Sequence, residues 1–516
     1  MTIGHLSSGI SNNSDRLWFV TVLAMSQSTV DRRSDANLNA DNPYLAGLYG
    51  PVADEVDLRD LAIDGEIPVD LSGIYVRNGP DPKYPPRGRY HWFDGDGMLH
   101  AIGFAGGRAR YTNRWIRTAP FGDEQARGRA LWTGLLHPVT DNPLEAPYKD
   151  TANTDVIWFG GELLATWYIC GLPYRVDPRG LATLGVHDFA TGKTRRISAH
   201  AKVDATTGEL MFFSYGRRSE LEYGLVSAAG QLVHSEAIAV PGPRLPHDMA
   251  ITENYSILMN LPLYFTDEAI RQKRWRVAFH RDVPARFALV PRSGSGAAST
   301  AAQPVRWFEA EPCYVYHTVN AWEEGDEVVM VACRVDDPLP APNYERDGAW
   351  APAMANLRLN ARLHRWRFNL VTGQTREETI DDRNSEFPCT NMGRLGRRTR
   401  FAYNMSIADT PTLLFDGLIK YDTDTGVSEQ YAFGPGRYGS EAVFAPRNGK
   451  DGTDVEAGED DGYVVTIVSY LGEDRAEALV FEATDIAGGP IARVAIPHRI
   501  PLGFHACWVP GQALLE

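Results

Sequence analysis

The chain has 516 residues, 43% of them hydrophobic, 10% aromatic and 23% charged. That balance excludes fibrous repeats and long disorder, and a chain of this length buries a large core unaided. Lys and Arg number 51 against 66 Asp and Glu, a net charge of −15 that repels phosphate backbones, so nucleic acid is not an expected partner.

Residues 1–41 read as a disordered extension. The run Leu17–Met25 (LWFVTVLAM) imitates the apolar part of a signal peptide. A long polar stretch precedes it and no clear small-residue cleavage pattern follows, so it is not read as a secretion signal. No window of about 20 apolar residues occurs. The five cysteines, Cys170, Cys313, Cys333, Cys389 and Cys507, are odd in number and far apart. They form neither a disulfide framework nor a zinc ribbon, which fits a reducing, cytoplasmic setting.

From Asn42 the texture is uniform, and residues 42–516 are expected to form one unit. Length alone suggests three or four domains, but all-β rings take long chains as one. Short runs rich in Val, Ile, Tyr, Phe and Trp are separated by turn residues, and helical periodicity is scarce. Examples are Glu327–Cys333, Arg362–Leu370 and Tyr463–Tyr470. Thr-Gly follows such runs at 191–192, 207–208, 372–373 and 425–426. Read as hairpin turns repeating from blade to blade, these predict an all-β propeller. Asp94-Gly95-Asp96-Gly97 lacks the ligand spacing of a calcium loop and reads as a tight turn. Arg292–Thr300, small and polar, and Gly449–Gly462, acidic and Gly-rich, read as loops, the second expected to be exposed and mobile. Residues 258–276 (LMNLPLYFTDEAIRQKRW and Arg276) mix apolar and basic side chains. They read either as a helical excursion packed on the ring or as a peripheral membrane contact and tunnel mouth.

No nucleophile elbow, phosphate loop, zinc-protease helix or dinucleotide fingerprint is present. Four of the 13 histidines sit at strand-like edges among apolar or small residues: His200, His247, His317 and His505. Inner strands of a propeller converge on its axis, so such distant residues can meet there. Four neutral imidazoles suit iron, copper or zinc. For each histidine alone, a buried hydrogen-bonded ring is the commoner state, and spacing does not overturn that.

At these residues the chain resembles the carotenoid cleavage oxygenase family, over about residues 42–510. The matching motifs are Gly73–Pro80 (GIYVRNGP), His91–Met98 (HWFDGDGM), Asn153–Val156, Leu172–Pro178, the four histidine segments and Glu386-Phe387-Pro388. The resemblance implies a seven-bladed β-propeller with a loop and helix cap over a central metal site. It implies one Fe(2+) per chain, held by His200, His247, His317 and His505. It also implies oxidative cleavage by O2 of a conjugated C=C bond in an apolar carotenoid or apocarotenoid, giving two carbonyl products. Two alternatives stand beside it: cleavage of a stilbene or phenylpropenoid, and a non-catalytic propeller that binds an apolar ligand. Glu386 and Glu441 match two of three family glutamates that hold the histidines. Ile169 stands where the third belongs, and the histidine left without its carboxylate is assigned as His247. Stilbene-cleaving relatives tend to carry lysine and tyrosine where this chain has Tyr168 and Trp115. Tyr84, Trp115, Trp132, Trp167 and Tyr168 are the expected tunnel residues, suited to a polyene, although core packing is the commoner role for any single one.

Overall fold

A computed structural model describes residues 38–512 apart from 138, 143–146, 217–219, 273–275, 293–303 and 455. The extension up to residue 37 and the loop 293–300 lie outside the described residues.

Seven sheets of four to six strands follow one another around an axis. Blade 1 holds strands Gly73–Pro80, Gly97–Ala105 and Arg108–Trp115. Blades 2, 3 and 4 span 155–186, 202–239 and 250–310, and blades 5, 6 and 7 span 314–379, 385–432 and 437–496. Each blade is antiparallel between neighbours, so short turns suffice to connect it. Two closures lock the ring. The last strand, Ala506–Pro510, pairs with Gly73–Pro80 as the innermost strand of blade 1. The early strand Ile63–Gly65 pairs with Ala492–Ile496 as the outermost strand of blade 7.

The core is a set of apolar layers between blades. Strand Gly462–Tyr470 is buried at all nine positions. Its Tyr463, Val465 and Ile467 pack with Tyr75, Ile102 and Tyr111 of blade 1, while Val464 and Val468 pack with Tyr403, Met405 and Leu418 of blade 6. Alternate side chains point to opposite faces, so a strand between two blades must be apolar on both. The strand Glu327–Val335 does the same: Val328 and Met330 face blade 4, Val329 and Val331 face blade 6.

The Thr-Gly turns occupy unlike places. Thr207-Gly208 joins the first two strands of blade 3, whereas Thr372-Gly373 and Thr425-Gly426 join the last two strands of blades 5 and 6. Thr191-Gly192 lies between blades 2 and 3. What recurs is local chemistry, a glycine at positive φ closing a tight turn, and not one blade position. The acidic stretch 449–462 is tied down: Glu459 accepts from the backbone N–H groups of Arg400 and Phe401 on blade 6.

A cap covers one face. It combines residues 42–50, the turn Trp92–Asp94, the helix Ala119–Arg127 and the segment 344–359. Thr118 caps the helix, its Oγ1 accepting from Phe121 N–H at 3.2 Å. Tyr44, Tyr49, Trp92, Trp350 and Met354 continue the apolar layer between blades 6 and 7, which fixes the cap to the ring. Among the described residues of 258–276, no exposed apolar patch forms. Leu258, Leu261, Leu263, Phe265 and Ala269 are buried, and Leu263–Phe265 pairs with Val277–Phe279. The side chains left exposed there are polar, among them Glu268, Arg271, Gln272 and Arg276. Residues 273–275, which include Trp275, lie outside the described residues. Among the described residues no helix is long and apolar enough to cross a membrane.

Candidate metal centre

Seven inner strands point their starts at the axis beneath the cap. His200, His247 and His505 each stand just before such a strand, and His317 lies within one. Their ring nitrogens lie within 4.8 Å of one another and all four are buried. Two local irregularities aim the rings. His200 adopts φ +64°, a strained backbone for a residue with a Cβ, and such strain concentrates at functional sites. His317 sits on a bulge, where the pairing register shifts between Val315 and Thr318. There Thr318 N–H donates to Asp248 Oδ2 at 2.7 Å.

Carboxylates from neighbouring blades hold the rings. His317 Nδ1 bonds Glu386 Oε2 at 2.6 Å, and His505 Nδ1 bonds Glu441 Oε1 at 3.0 Å. Glu386 is itself fixed by Phe387 N–H, at 2.5 Å, and Glu441 by Ala506 N–H. His200 Nδ1 lies 3.5 Å from Asp155 Oδ2, which also accepts from the His200 backbone N–H at 3.0 Å. His247 differs. Its Nδ1 is buried and has no hydrogen-bond partner. Aromatic rings surround it instead: Tyr168 at 4.4 Å and Tyr316 at 5.1 Å between centroids. Tyr168 belongs to the turn that carries half-buried Ile169.

Burial drives the pKa values of His200, His247 and His317 well below the ordinary histidine value, so these rings are neutral. Burial opposes charge on His505 too, but Glu441 beside it holds its pKa above the usual value. Burial likewise pushes Asp155 up to about 6 and Glu386 well above the carboxylate range. The donors fit a divalent first-row metal. The Nε2 atoms of His200 and His317 are buried without partners, a costly state that metal ligation relieves.

The expected tunnel residues divide. Tyr84, Trp132 and Trp167 line one cavity under the cap. Tyr168 rests on His247. Trp115 is 2% exposed, packs on Phe121 and donates its indole N–H to Asp81 O at 2.9 Å, as a core residue outside that cavity. The structure also brings in residues not singled out from sequence. Phe387, at φ +51°, lays its ring over His505 at 4.7 Å and beside His317 at 4.8 Å. Lys202, two residues after His200, pairs with Asp248 at 2.7 Å. The strand-edge position after each histidine was the signal that could have found Lys202 and Asp248. A second cavity, of about 400 Å³, runs along the inner strands on the side away from the cap and touches His200, His505 and Glu441.

A β-propeller whose axis carries four buried histidines, three of them beside carboxylates, presents a donor set that could hold a metal ion. The chain belongs to the Retinal pigment epithelial membrane protein family, whose model matches residues 49–510. It is 34% identical over 510 residues to a carotenoid 9,10(9′,10′)-cleavage dioxygenase 1 of Pisum sativum, covering 92% of this chain and 91% of the relative. It is 30% identical to an isoeugenol monooxygenase of Pseudomonas nitroreducens, covering 92% and 99%. The crystal structure of Pseudomonas brassicacearum lignostilbene dioxygenase superposes with a TM-score of 0.80 at 30% identity, covering 91% of this chain and 99% of that one.

Proposed function

We propose that this protein is a non-haem Fe(II) dioxygenase that cleaves a conjugated C=C bond of a carotenoid or apocarotenoid into two carbonyl products. The observation that carries the reading is the cluster of four buried, largely neutral imidazoles at the axis. His200, His247, His317 and His505 would hold the metal, and Fe(II) bound there would supply the activation of O2 toward an electron-rich alkene. The chain's own residues do the rest. Glu386 and Glu441 fix the tautomer and the direction of two rings. Phe93, Phe387, Phe504 and Tyr168 form an aromatic wall next to the ligands, with Phe93 5.1 Å from Phe504 and 6.1 Å from Tyr168. Such a wall packs a flat polyene and excludes water from it.

The isoeugenol and lignostilbene relatives favour a second reading, cleavage of a phenylpropenoid or stilbene double bond. A competition separates the two. Iron-loaded protein is offered an apocarotenal and a 4-hydroxystilbene together in air, and products are identified by mass. Polyene aldehydes are the expected result, and their masses fix the cleaved bond. Aromatic aldehyde alone would replace the first reading by the second. A peripheral membrane contact through 258–276 would use exposed Arg271 and Arg276 on anionic headgroups, and flotation with anionic vesicles tests it.

A further inference from the structure

Side chains tie each histidine segment to an adjacent blade. Asp155 reaches from blade 2 to blade 3: its Oδ1 accepts from Val156 N–H at 2.7 Å and its Oδ2 from His200 N–H at 3.0 Å. Asp248 repeats the arrangement from the start of blade 4 to blade 5. Its Oδ1 accepts from Met249 N–H at 2.7 Å, and its Oδ2 from Thr318 N–H at 2.7 Å and the Thr318 hydroxyl at 2.8 Å. Asp248 also has a charged partner. Lys202, which opens the first strand of blade 3, places Nζ 2.7 Å from Asp248 Oδ1. One carboxylate, 2% exposed, thus joins the residue after His247, the residue after His317 and the residue two beyond His200.

This junction matters most at His247, whose ring Nδ1 has no polar partner. His247 lies in the irregular segment 243–249. Tyr314 donates its hydroxyl to Leu245 O at 2.6 Å on one side of it, and Asp248 anchors the other. A ring with no carboxylate behind it takes its direction from where such anchors set its backbone. The charge of Lys202 works against metal binding. Burial and the neighbouring imidazoles lower the pKa values of His200, His247 and His317, and Lys202 lowers them further, so its charge is felt at three rings. A cation in that place disfavours a bound dication. Geometry and charge therefore give opposite signs for the effect of removing it.

We propose that Lys202 and Asp248 form a clasp that positions His247 as a metal ligand, in place of the carboxylate that stands behind the rings of His317 and His505. The assignment rests on the reading that the four histidines hold Fe(II). Both are positioning residues and act through the main chain: Lys202 pulls Asp248 toward blade 3, Thr318 holds it to blade 5, and His247 is carried between them.

The test reads metal binding without turnover. Iron affinity is measured by competition with a chelator, and the copper(II)-loaded protein is examined by pulsed EPR, which counts bound imidazoles through their remote nitrogens. Lys202→Met keeps the stem and removes the ammonium. It is expected to weaken iron about tenfold and to lower the imidazole count by one relative to the unmodified protein. The double variant Lys202→Met/Asp248→Asn leaves no unpaired buried carboxylate and should show the same two losses, even if the single variant fails to fold. In a His247→Ala background, where the ring is already gone, Lys202→Met should cost no further affinity. Tighter iron in Lys202→Met would mean that the pair acts by charge alone, and overturns the clasp. Unchanged iron in the double variant overturns it too, as does weaker iron with the full imidazole count. A further loss in the His247→Ala background would mean that Lys202 supports another histidine, and overturns the assignment to His247. In each of these cases iron bound by the unmodified protein leaves the proposed function standing. An unmodified protein that takes up neither iron nor copper would overturn that reading, and the clasp with it.

Discussion

The four histidines are not equivalent, and the difference lies in what each second nitrogen meets. Two meet glutamates within hydrogen-bond distance and one lies near Asp155, while His247 Nδ1 meets none. A carboxylate behind an imidazole raises its basicity and fixes its direction, and losing one typically costs ten- to a hundredfold in metal affinity. Glu386→Gln is therefore expected to weaken iron about ten- to a hundredfold, measured by competition with a chelator. Ile169→Glu returns a carboxylate to the turn that carries Tyr168 and should tighten iron about tenfold in the same assay. If its affinity equals that of the unmodified protein, support of His247 does not limit metal retention. The expectation that one histidine lacks its carboxylate came only from the family resemblance, since an isoleucine in a short turn carries no signal of its own. Phe387 was harder still. Nothing in a Glu-Phe-Pro string foretells a ring lying over His505, because that follows from a positive φ and from packing against another blade.

Strands were legible where they are long. Glu327–Val335 and Gly462–Tyr470 announce themselves as runs rich in β-branched residues, since blades on both sides bury most or all of their positions. The pieces that close the ring were not legible. Ile63–Gly65 is three residues, exposed throughout, and acquires its meaning from Ala492–Ile496 some 430 residues later. Gly65 marks the joint. It has φ +86°, and a Cβ there would lie 2.2 Å from Ile491 O. Both the backbone and the space exclude a side chain, so Gly65→Ala must shift one edge of blade 7. A loss of about 1–3 kcal/mol is expected, seen as a lower Tm with the metal site intact once folded. An unchanged Tm would mean that this outer strand contributes nothing to closure.

At the scale of the whole molecule, the cap, the first blade and the incoming chain meet at Asp81. Its Oδ2 accepts from Val52 N–H at 3.2 Å, its N–H donates to Asp96 O at 2.7 Å, and its carbonyl takes the Trp115 indole N–H at 2.9 Å. The side chain is 1% exposed, and burial pushes its pKa up to about 8, against the pull of Val52 N–H, Arg499 and Arg77. A folded value raised above the unfolded one, about 3.9, means that the native carboxyl keeps its proton where the unfolded chain has lost it. Asp81 therefore favours the fold most near and below pH 4, and that contribution drains away as pH rises toward about 8. The drain is at most about 1.4 kcal/mol per pH unit. Asp81→Asn stays neutral throughout and removes this slope. Melting temperatures measured from pH 5 to pH 8.5 should show the Asn variant gaining steadily on the unmodified protein, with the gap widest at the alkaline end. Parallel curves would mean that Asp81 is already ionised in the fold and that Arg77 and Arg499, not its own proton, stabilise the junction between cap and ring.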